Sequence, residues 1–172
     1  MNFGRNYEGA RDDFVYIYSP DTATTYEASD GFVLGRVPKG HLANRDAYEF
    51  FMGVSGEGQP LWTMDIQKRG PVFLNPGQCY RSNVSYDAGL KRYLWCQTLP
   101  GGDPRFEGGF AIYDAPEPWG PWTETFSTSR WDIGPGESSS FPTKWTSPDG
   151  KKLWLVFSGD DSFSVRAATI DW

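Results

Sequence analysis

Short runs of β-branched and aromatic residues, separated by glycine, proline, asparagine and aspartate, follow one another along the chain. The clearest series predicts strands at residues 79–86, 92–98, 109–114 and 123–126. Asp87-Ala-Gly89 forms the first turn, and a Pro/Trp corner at residues 115–122 precedes the last strand. Strands bounded in this way predict one small antiparallel sheet.

This order of elements occurs twice more. Strands are predicted at 14–19, 32–37 and 48–53 in the first unit, and at 153–158 and 163–168 in the third. Each unit opens with a polar segment, beginning at Phe3, Tyr80 or Phe141, that precedes a strongly apolar strand. Repeated four-stranded sheets are typical of β-propeller blades, whose first strands line a central channel. A β-sandwich would explain the strand content but not the repeated order.

The whole chain, residues 1–172, is therefore interpreted as a single all-β domain, a partial β-propeller with blades at about 1–54, 78–126 and 140–172. The connections at 21–31, 55–76 and 127–139 are predicted to be surface loops. Residues 41–51 are the best helical candidate, and we interpret them as a loop that leads into a strand.

Composition supports this fold class. Aromatic residues make up 17% of the 172 positions, and 20 glycines and 13 prolines are spread along the chain, which favours short strands and tight turns over helices. The net charge of −6 argues against nucleic acid and anionic membranes as partners. No apolar run reaches the ~18–20 residues of a membrane span, and the N-terminal segment has no signal-peptide core.

The two cysteines, Cys79 and Cys96, fall on facing strands of the predicted hairpin. Two outcomes stay open, a disulfide across the hairpin or two small buried thiols. No Cys/His spacing indicates zinc.

Three stretches carry a family resemblance: YRSNVSYD, GGFAIYDAPEPWGPW and FPTKWTSPDGKKLWLVFSG. Together they resemble the five-bladed propeller glycoside hydrolases. They are most similar to a bacterial and fungal family, once labelled only as a domain of unknown function, that includes endo-D-arabinanases. The resemblance implies a polysaccharide or oligosaccharide partner and an extracellular or periplasmic location.

The number of blades departs from that family, because this chain has about three where such propellers have five. It resembles a C-terminal portion, and we expect a homodimer that covers the open sheets, as in a six-bladed ring with two-fold symmetry. No cofactor is expected. Calcium occurs at the channel centre of some related propellers, but no Asp/Asn cluster specifies it here.

Glycoside hydrolysis needs two carboxyl groups, which in a propeller project from the first strands or the turns beside them. The candidate catalytic residues are Glu8, Asp12, Asp13 and Glu49, with Glu8 placed first because it lies on the first polar segment. Asp87 and Asp149 are interpreted as turn formers.

The predicted channel-facing positions are rich in groups that bind sugar hydroxyls: Arg5, Asn6, Arg81, Ser82, Asn83, Thr143 and Lys144. Cations at equivalent places in three units predict a substrate site, and structural ion pairs between blades are the alternative. Among the tryptophans, Trp131 is the predicted exposed sugar platform. Trp95 and Trp154 are assigned to the core, and Trp119 and Trp122 to a structural corner.

These observations predict a glycoside hydrolase that acts on an arabinan, xylan or glucan through carboxylates at the propeller channel. A non-catalytic sugar-binding propeller fragment and a polysaccharide lyase are the alternatives. His41, the only histidine, provides no catalytic triad.

Overall fold

The computed structural model describes residues 2–3, 11–24 and 26–171. It contains three antiparallel sheets, and within these residues the only helical segments are short 3-10 turns. None of the described helices is long or apolar enough to cross a membrane. The prediction of an all-β fold with three repeated antiparallel sheets is confirmed.

The first sheet is the largest. Its strands are β1 Asn2–Phe3, β2 Phe14–Pro20, β3 Ser29–Pro38, β4 Glu49–Val54, β5 Pro60–Thr63 and β6 Pro71–Cys79. The first five lie side by side in chain order, and β6 pairs with the first half of β3. Strand β4 pairs with the second half of β3, so β4 and β6 lie one after the other along the same edge of β3.

The second sheet matches the predicted unit at residues 78–126. It contains β7 Ser82–Asp87, β8 Arg92–Pro100, β9 Gly108–Ala115 and β10 Thr123–Thr128, paired in chain order. Residues 93–98 of β8 are all buried, on both faces of the strand, because the first and third sheets cover opposite sides of the second. Trp95 stands at the centre of this strand and is fully buried.

The third sheet has three strands, β11 Ser139–Ser140, β12 Lys152–Phe157 and β13 Ser164–Thr169. Its burial alternates along β12, where Leu153, Leu155 and Phe157 face the core. Trp154 points to the opposite face and is 45% exposed, so its assignment to the core was wrong. A strand buries the side chains of both its faces only where other elements cover both sides of its sheet. The face of β12 that carries Trp154 has no such cover among the described residues, so the Trp154 ring is exposed.

Two apolar clusters hold the sheets together. One joins the first and second sheets around Phe32, Trp95 and Tyr113, and the other joins the second and third sheets around Leu94, Phe110 and Leu155. Trp119 and Trp122 pack against the first cluster, as expected of a structural corner.

The innermost strands of the three sheets meet. Strand β7 contacts both β1 and β11, and the Ser85 hydroxyl donates a 2.8 Å hydrogen bond to the Phe141 carbonyl oxygen beside the third sheet. The Tyr18 hydroxyl donates a 2.6 Å bond from the first sheet to the Pro118 carbonyl in the second. Like-built sheets are therefore arranged side by side around their first strands, as in a propeller.

Three local predictions needed correction. Residues 55–76 were predicted to be a loop, but they contain β5 and most of β6. The strand predicted at 79–86 is divided, since Cys79 ends β6 and Ser82 begins β7. The polar segment after Phe141 is not a strand, because Thr143–Trp145 form a 3-10 turn. Residues 41–51 contain the end of one 3-10 turn, a second 3-10 turn and the start of β4, which agrees with a loop that leads into a strand.

Both cysteines are free and buried, so the thiol alternative is the one that the structure shows. Cys96 pairs in register with Asn83 and Ile112, whereas Cys79 lies at the end of β6 in a different sheet from β8.

Candidate functional site

Two charged side chains meet where β7 and β11 begin. Arg81 immediately precedes β7, Glu137 lies two residues before β11, and Nη1 of Arg81 lies 2.8 Å from Oε2 of Glu137. Both side chains are partly buried. The pair therefore joins the first strands of two neighbouring sheets at one end of the propeller.

The backbone fixes the place of Glu137. Its N–H donates a 2.9 Å hydrogen bond to the Ser158 hydroxyl, beyond the end of β12. Gly136 adopts φ 74°, in the left-handed region that favours glycine, and an added Cβ would collide with the Ser158 carbonyl oxygen. The segment thus approaches β12 closely and directs the carboxylate towards Arg81.

Two tyrosines flank the guanidinium. The Arg81 guanidinium carbon lies 4.7 Å from the ring centroid of Tyr26 and 5.7 Å from that of Tyr80. Tyr80 is buried, whereas Tyr26, in the connection from β2 to β3, is 74% exposed. We call Tyr26, Tyr80, Arg81 and Glu137 the Arg81–Glu137 site.

Further charged groups lie on the neighbouring connections. Gly136 donates its N–H to the Pro104 carbonyl, and Gly134 donates to Asp160 Oδ1 at 2.8 Å. The guanidinium of Arg105 binds Asp103 and lowers the pKa of that carboxyl. The β8–β9 and β12–β13 connections therefore border the loop that carries Glu137.

The predicted catalytic residues within the described chain are each held by a neighbour in the first sheet. Asp12 accepts hydrogen bonds from the Phe14 N–H at 2.8 Å and the Tyr16 hydroxyl at 2.7 Å. Burial, followed by this bond to Asp12, raises the pKa of Tyr16. These contacts make Asp12 a cap at the start of β2.

The other two carboxylates form ion pairs. Asp13 lies 3.2 Å from the Lys39 ammonium, and Glu49 lies 2.7 Å from Nε of Arg36. The Arg36 guanidinium also contacts the rings of Phe14 and Trp62. Glu8, Arg5 and Asn6 lie outside the described residues.

The side chains of Ser82 and Asn83 contact other residues of the second sheet. The Ser82 hydroxyl accepts a 2.7 Å hydrogen bond from Nε1–H of Trp95, and Asn83 Oδ1 lies 3.2 Å from the Ser85 hydroxyl oxygen. Of the predicted substrate-binding residues that the structure describes, Arg81 is the one that lies within the Arg81–Glu137 site.

Trp131 differs from its predicted exposure, whereas the predicted roles of Thr143 and Lys144 stay predictions. Thr143 and Lys144 are exposed in the 3-10 turn, which contacts β7. Trp131 is half-buried rather than exposed, with its ring edge-on to that of Phe110 at 5.3 Å between centroids. The Trp131 ring is also edge-on to that of Phe126 at 6.1 Å, so these two neighbouring rings cover part of its surface.

Glu137, Tyr26 and Tyr80 are the site residues that the sequence analysis missed. Glu137 and Tyr26 fall in segments interpreted as surface loops, and Tyr80 was interpreted only as the start of a polar segment. One signal was available for Glu137. Glu137 lies two residues before the first strand of the third sheet, and Arg81 lies one residue before the first strand of the second sheet, so the two occupy similar positions in the repeat.

The two turn aspartates behave as expected. Asp87 Oδ1 accepts the Leu90 N–H at 3.0 Å, and Asp149 Oδ1 accepts the Lys151 N–H at 3.1 Å. A polar cleft of about 200 Å³ lies between these two turns. Burial raises the pKa of Asp87, and hydrogen bonds from backbone N–H groups oppose that rise.

Among the described residues, no group of three or more His, Cys, Asp or Glu side chains is placed to hold an ion.

No protein-family model and no curated protein sequence matches the chain. Among solved structures, it is similar to a GH43 β-1,3-galactosidase, with 13% sequence identity and a TM-score of 0.56. The match covers 94% of this chain and 30% of that structure. At this identity the likeness shows the fold, which is that of a partial β-propeller of the GH43 type.

Proposed function

We propose that the chain recognises a carbohydrate at the Arg81–Glu137 site, as part of a glycoside hydrolase that acts on a polysaccharide. The observation that carries the proposal is the exposed ring of Tyr26 beside a charged pair where the first strands of the second and third sheets begin. The likeness to a GH43 glycosidase supports it at the level of fold.

The chemistry of the site suits a neutral sugar. An aromatic ring packs against the C–H face of a pyranose or furanose, and the Tyr26 ring has most of its surface available. A guanidinium donates to sugar hydroxyl oxygens and a carboxylate accepts from hydroxyl protons, so Arg81 and Glu137 together can bind two neighbouring hydroxyls. Because each charge is already balanced by the other, the site does not depend on a charged ligand.

Hydrolysis needs a second carboxyl group, about 5–5.5 Å from the first for retention or roughly 6.5–9.5 Å for inversion. Glu137 is our proposed carboxylate at this end of the propeller. Binding without turnover is the second candidate function. The observation that favours it is that Asp12, Asp13 and Glu49 are each held by neighbours in the first sheet.

One experiment separates these functions. The purified chain is tested with arabinans, xylans, β-glucans and arabinogalactan, by affinity electrophoresis for binding and by reducing-end detection for turnover. Retention with new reducing ends supports the hydrolase. Retention alone supports the binding protein, and a product with the ultraviolet absorbance of an unsaturated sugar supports a lyase. A lack of retention by every polymer would contradict carbohydrate recognition.

Two variants locate the site. Glu137→Gln removes the charge that pairs with Arg81 and should weaken retention roughly tenfold, since hydrogen bonds to charged groups are the stronger ones. Asp132→Asn, in the same loop, removes the partner of Arg166 in an exposed ion pair and is the matched control. Equal retention of the two variants would place the sugar elsewhere.

A further inference from the structure

The β8–β9 connection repeats the kinds of group found at the Arg81–Glu137 site. The Arg105 guanidinium carbon lies 5.2 Å from the ring centroid of Phe106, and Nη2 of Arg105 lies 2.8 Å from Oδ2 of Asp103. Phe106 is 52% exposed. An exposed aromatic ring, a guanidinium beside it and a carboxylate paired with that guanidinium therefore occur at both places.

Hydrogen bonds within the connection fix the position of Phe106. Its N–H donates to the Asp103 carbonyl oxygen at 2.9 Å, and the Glu107 N–H donates to the same oxygen at 2.7 Å. The Arg105 N–H donates to Asp103 Oδ1 at 3.1 Å. Because this turn is already formed, a ligand that binds the ring does not have to order the backbone first.

The β8–β9 connection also packs against the loop that carries Glu137. An added Cβ at Gly134 would collide with the Arg105 carbonyl oxygen and with the Cα of Phe106. Glu137 follows Gly134 by three residues, which span at most about 11 Å of extended chain. Phe106 and Glu137 therefore lie on neighbouring loops at the same end of the propeller.

The charge of Glu137 acts on Arg105 as well as on its own partner. The hydrogen bond from Arg105 to Asp103 is the main cause that raises the pKa of Arg105, and the carboxylates of Asp161 and Glu137 add to the rise. The two guanidinium groups at this end of the propeller are thus linked electrostatically through one carboxylate.

Tyr26 and Phe106 are carried by different sheets. Tyr26 lies between β2 and β3 of the first sheet, and Phe106 lies between β8 and β9 of the second. At about 4.8 Å per strand, the β8–β9 connection leaves its sheet roughly 5–10 Å outward from β7. Contacts lead from Tyr26 to the Arg81–Glu137 pair and, through the loop that carries Glu137, to the connection that carries Phe106.

We infer that Phe106 and Arg105 form a second subsite, and that the ligand is a chain of several sugar units rather than a mono- or disaccharide. This inference rests on the proposed function. One sugar unit stacks on Tyr26 beside the Arg81–Glu137 pair. A later unit of the same chain stacks on Phe106, and Arg105 donates to its hydroxyl oxygens.

Two linked subsites make affinity depend on chain length. Once one unit is bound at the first subsite, binding of another unit at the second becomes intramolecular. A chain too short to reach both rings gains nothing from Phe106, whereas a chain that spans them gains the second stacking contact.

Isothermal titration calorimetry with arabino-, xylo- and cello-oligosaccharides, from disaccharide to hexasaccharide, measures this dependence. In the series that binds, we expect affinity to rise roughly tenfold from the disaccharide to the hexasaccharide. Phe106→Ala should abolish the rise and leave the disaccharide affinity unchanged, and Phe106→Tyr, which keeps a flat ring, should restore it. A wild-type affinity that does not depend on length would overturn the inference.

Trp145→Ala is the matched control. Trp145 is 47% exposed and ends the 3-10 turn beside the Asp87 cleft, at the other end of β7 from Arg81. It should keep the wild-type dependence on length. If Glu137→Gln weakens every length alike while Phe106→Ala matches wild type throughout, the second subsite is wrong and the proposed function stands. If no oligosaccharide binds, both are contradicted.

Discussion

Nη1 of Arg81 lies 2.8 Å from Oε2 of Glu137, and this contact joins the start of the second sheet to the start of the third. The two residues are far apart in sequence, and the repeat of like-built sheets brings them together. Because the exposed Tyr26 ring lies over the same guanidinium, three connections contribute to one polar site.

Tyr26→Ala should weaken binding of the retained polysaccharide roughly tenfold, because stacking of an aromatic ring on the sugar is lost. Affinity electrophoresis measures the change. Phe163→Ala is the matched control, since Phe163 is 76% exposed but lies on the third sheet's outer connection. If both variants bind as tightly as wild type, Tyr26 is not a sugar platform.

Trp95→Ala should cost about 3–5 kcal/mol in the free energy of unfolding, as expected for a large buried aromatic residue. Trp95 is fully buried, its ring contacts those of Phe32, Phe73 and Trp122, and its indole N–H donates to Ser82. Urea denaturation measures the loss.

Trp154→Ala is the control for that prediction, because Trp154 belongs to the same repeated apolar strand pattern but is 45% exposed. It should cost about 1 kcal/mol or less. Equal losses in the two variants would contradict the different burial of β8 and β12.

Neither cysteine should react with iodoacetamide at pH 8 in the folded protein. Both should react once the protein is unfolded in denaturant, even when no reductant is added. Burial raises the pKa of Cys96 to about 12 and also raises the pKa of Cys79. At pH 8 the reactive thiolate of Cys96 is then roughly one part in ten thousand. Mass spectrometry counts the added groups, and an unfolded chain that takes up none would reveal a disulfide.

Asp87→Asn should stabilise the protein more at pH 7 than at pH 3. Burial raises the pKa of Asp87 in the folded state above its ordinary value, so folding favours the protonated form. The wild type therefore loses stability as the pH rises from the unfolded-state pKa through the folded-state pKa, and the uncharged variant does not. Urea denaturation at both pH values gives the difference, and a larger benefit at pH 3 would contradict this sign.

The second sheet could be predicted almost strand by strand, because turns of Gly, Asp and Pro bound each of its apolar runs. Strand β6 could not, since Pro71, Pro76 and Gly77 make its sequence look like a loop. Prolines are tolerated there because β3 is the only described strand that pairs with β6, and it occupies one edge.

The site was harder to predict than the fold. Arg81 was found because it precedes a recognisable strand, whereas β11 is only two residues long and gave Glu137 no such marker. The burial of Trp131 and the exposure of Trp154 depend on which sheet faces them, and a local pattern does not contain that information.

The most direct test of carbohydrate recognition is amide hydrogen exchange with and without the best-retained oligosaccharide. The account predicts slower exchange at Tyr26, at Tyr80 to Ser82 and around Glu137, with no change along β13. Protection confined to other surfaces, with these three segments unaffected, would contradict it.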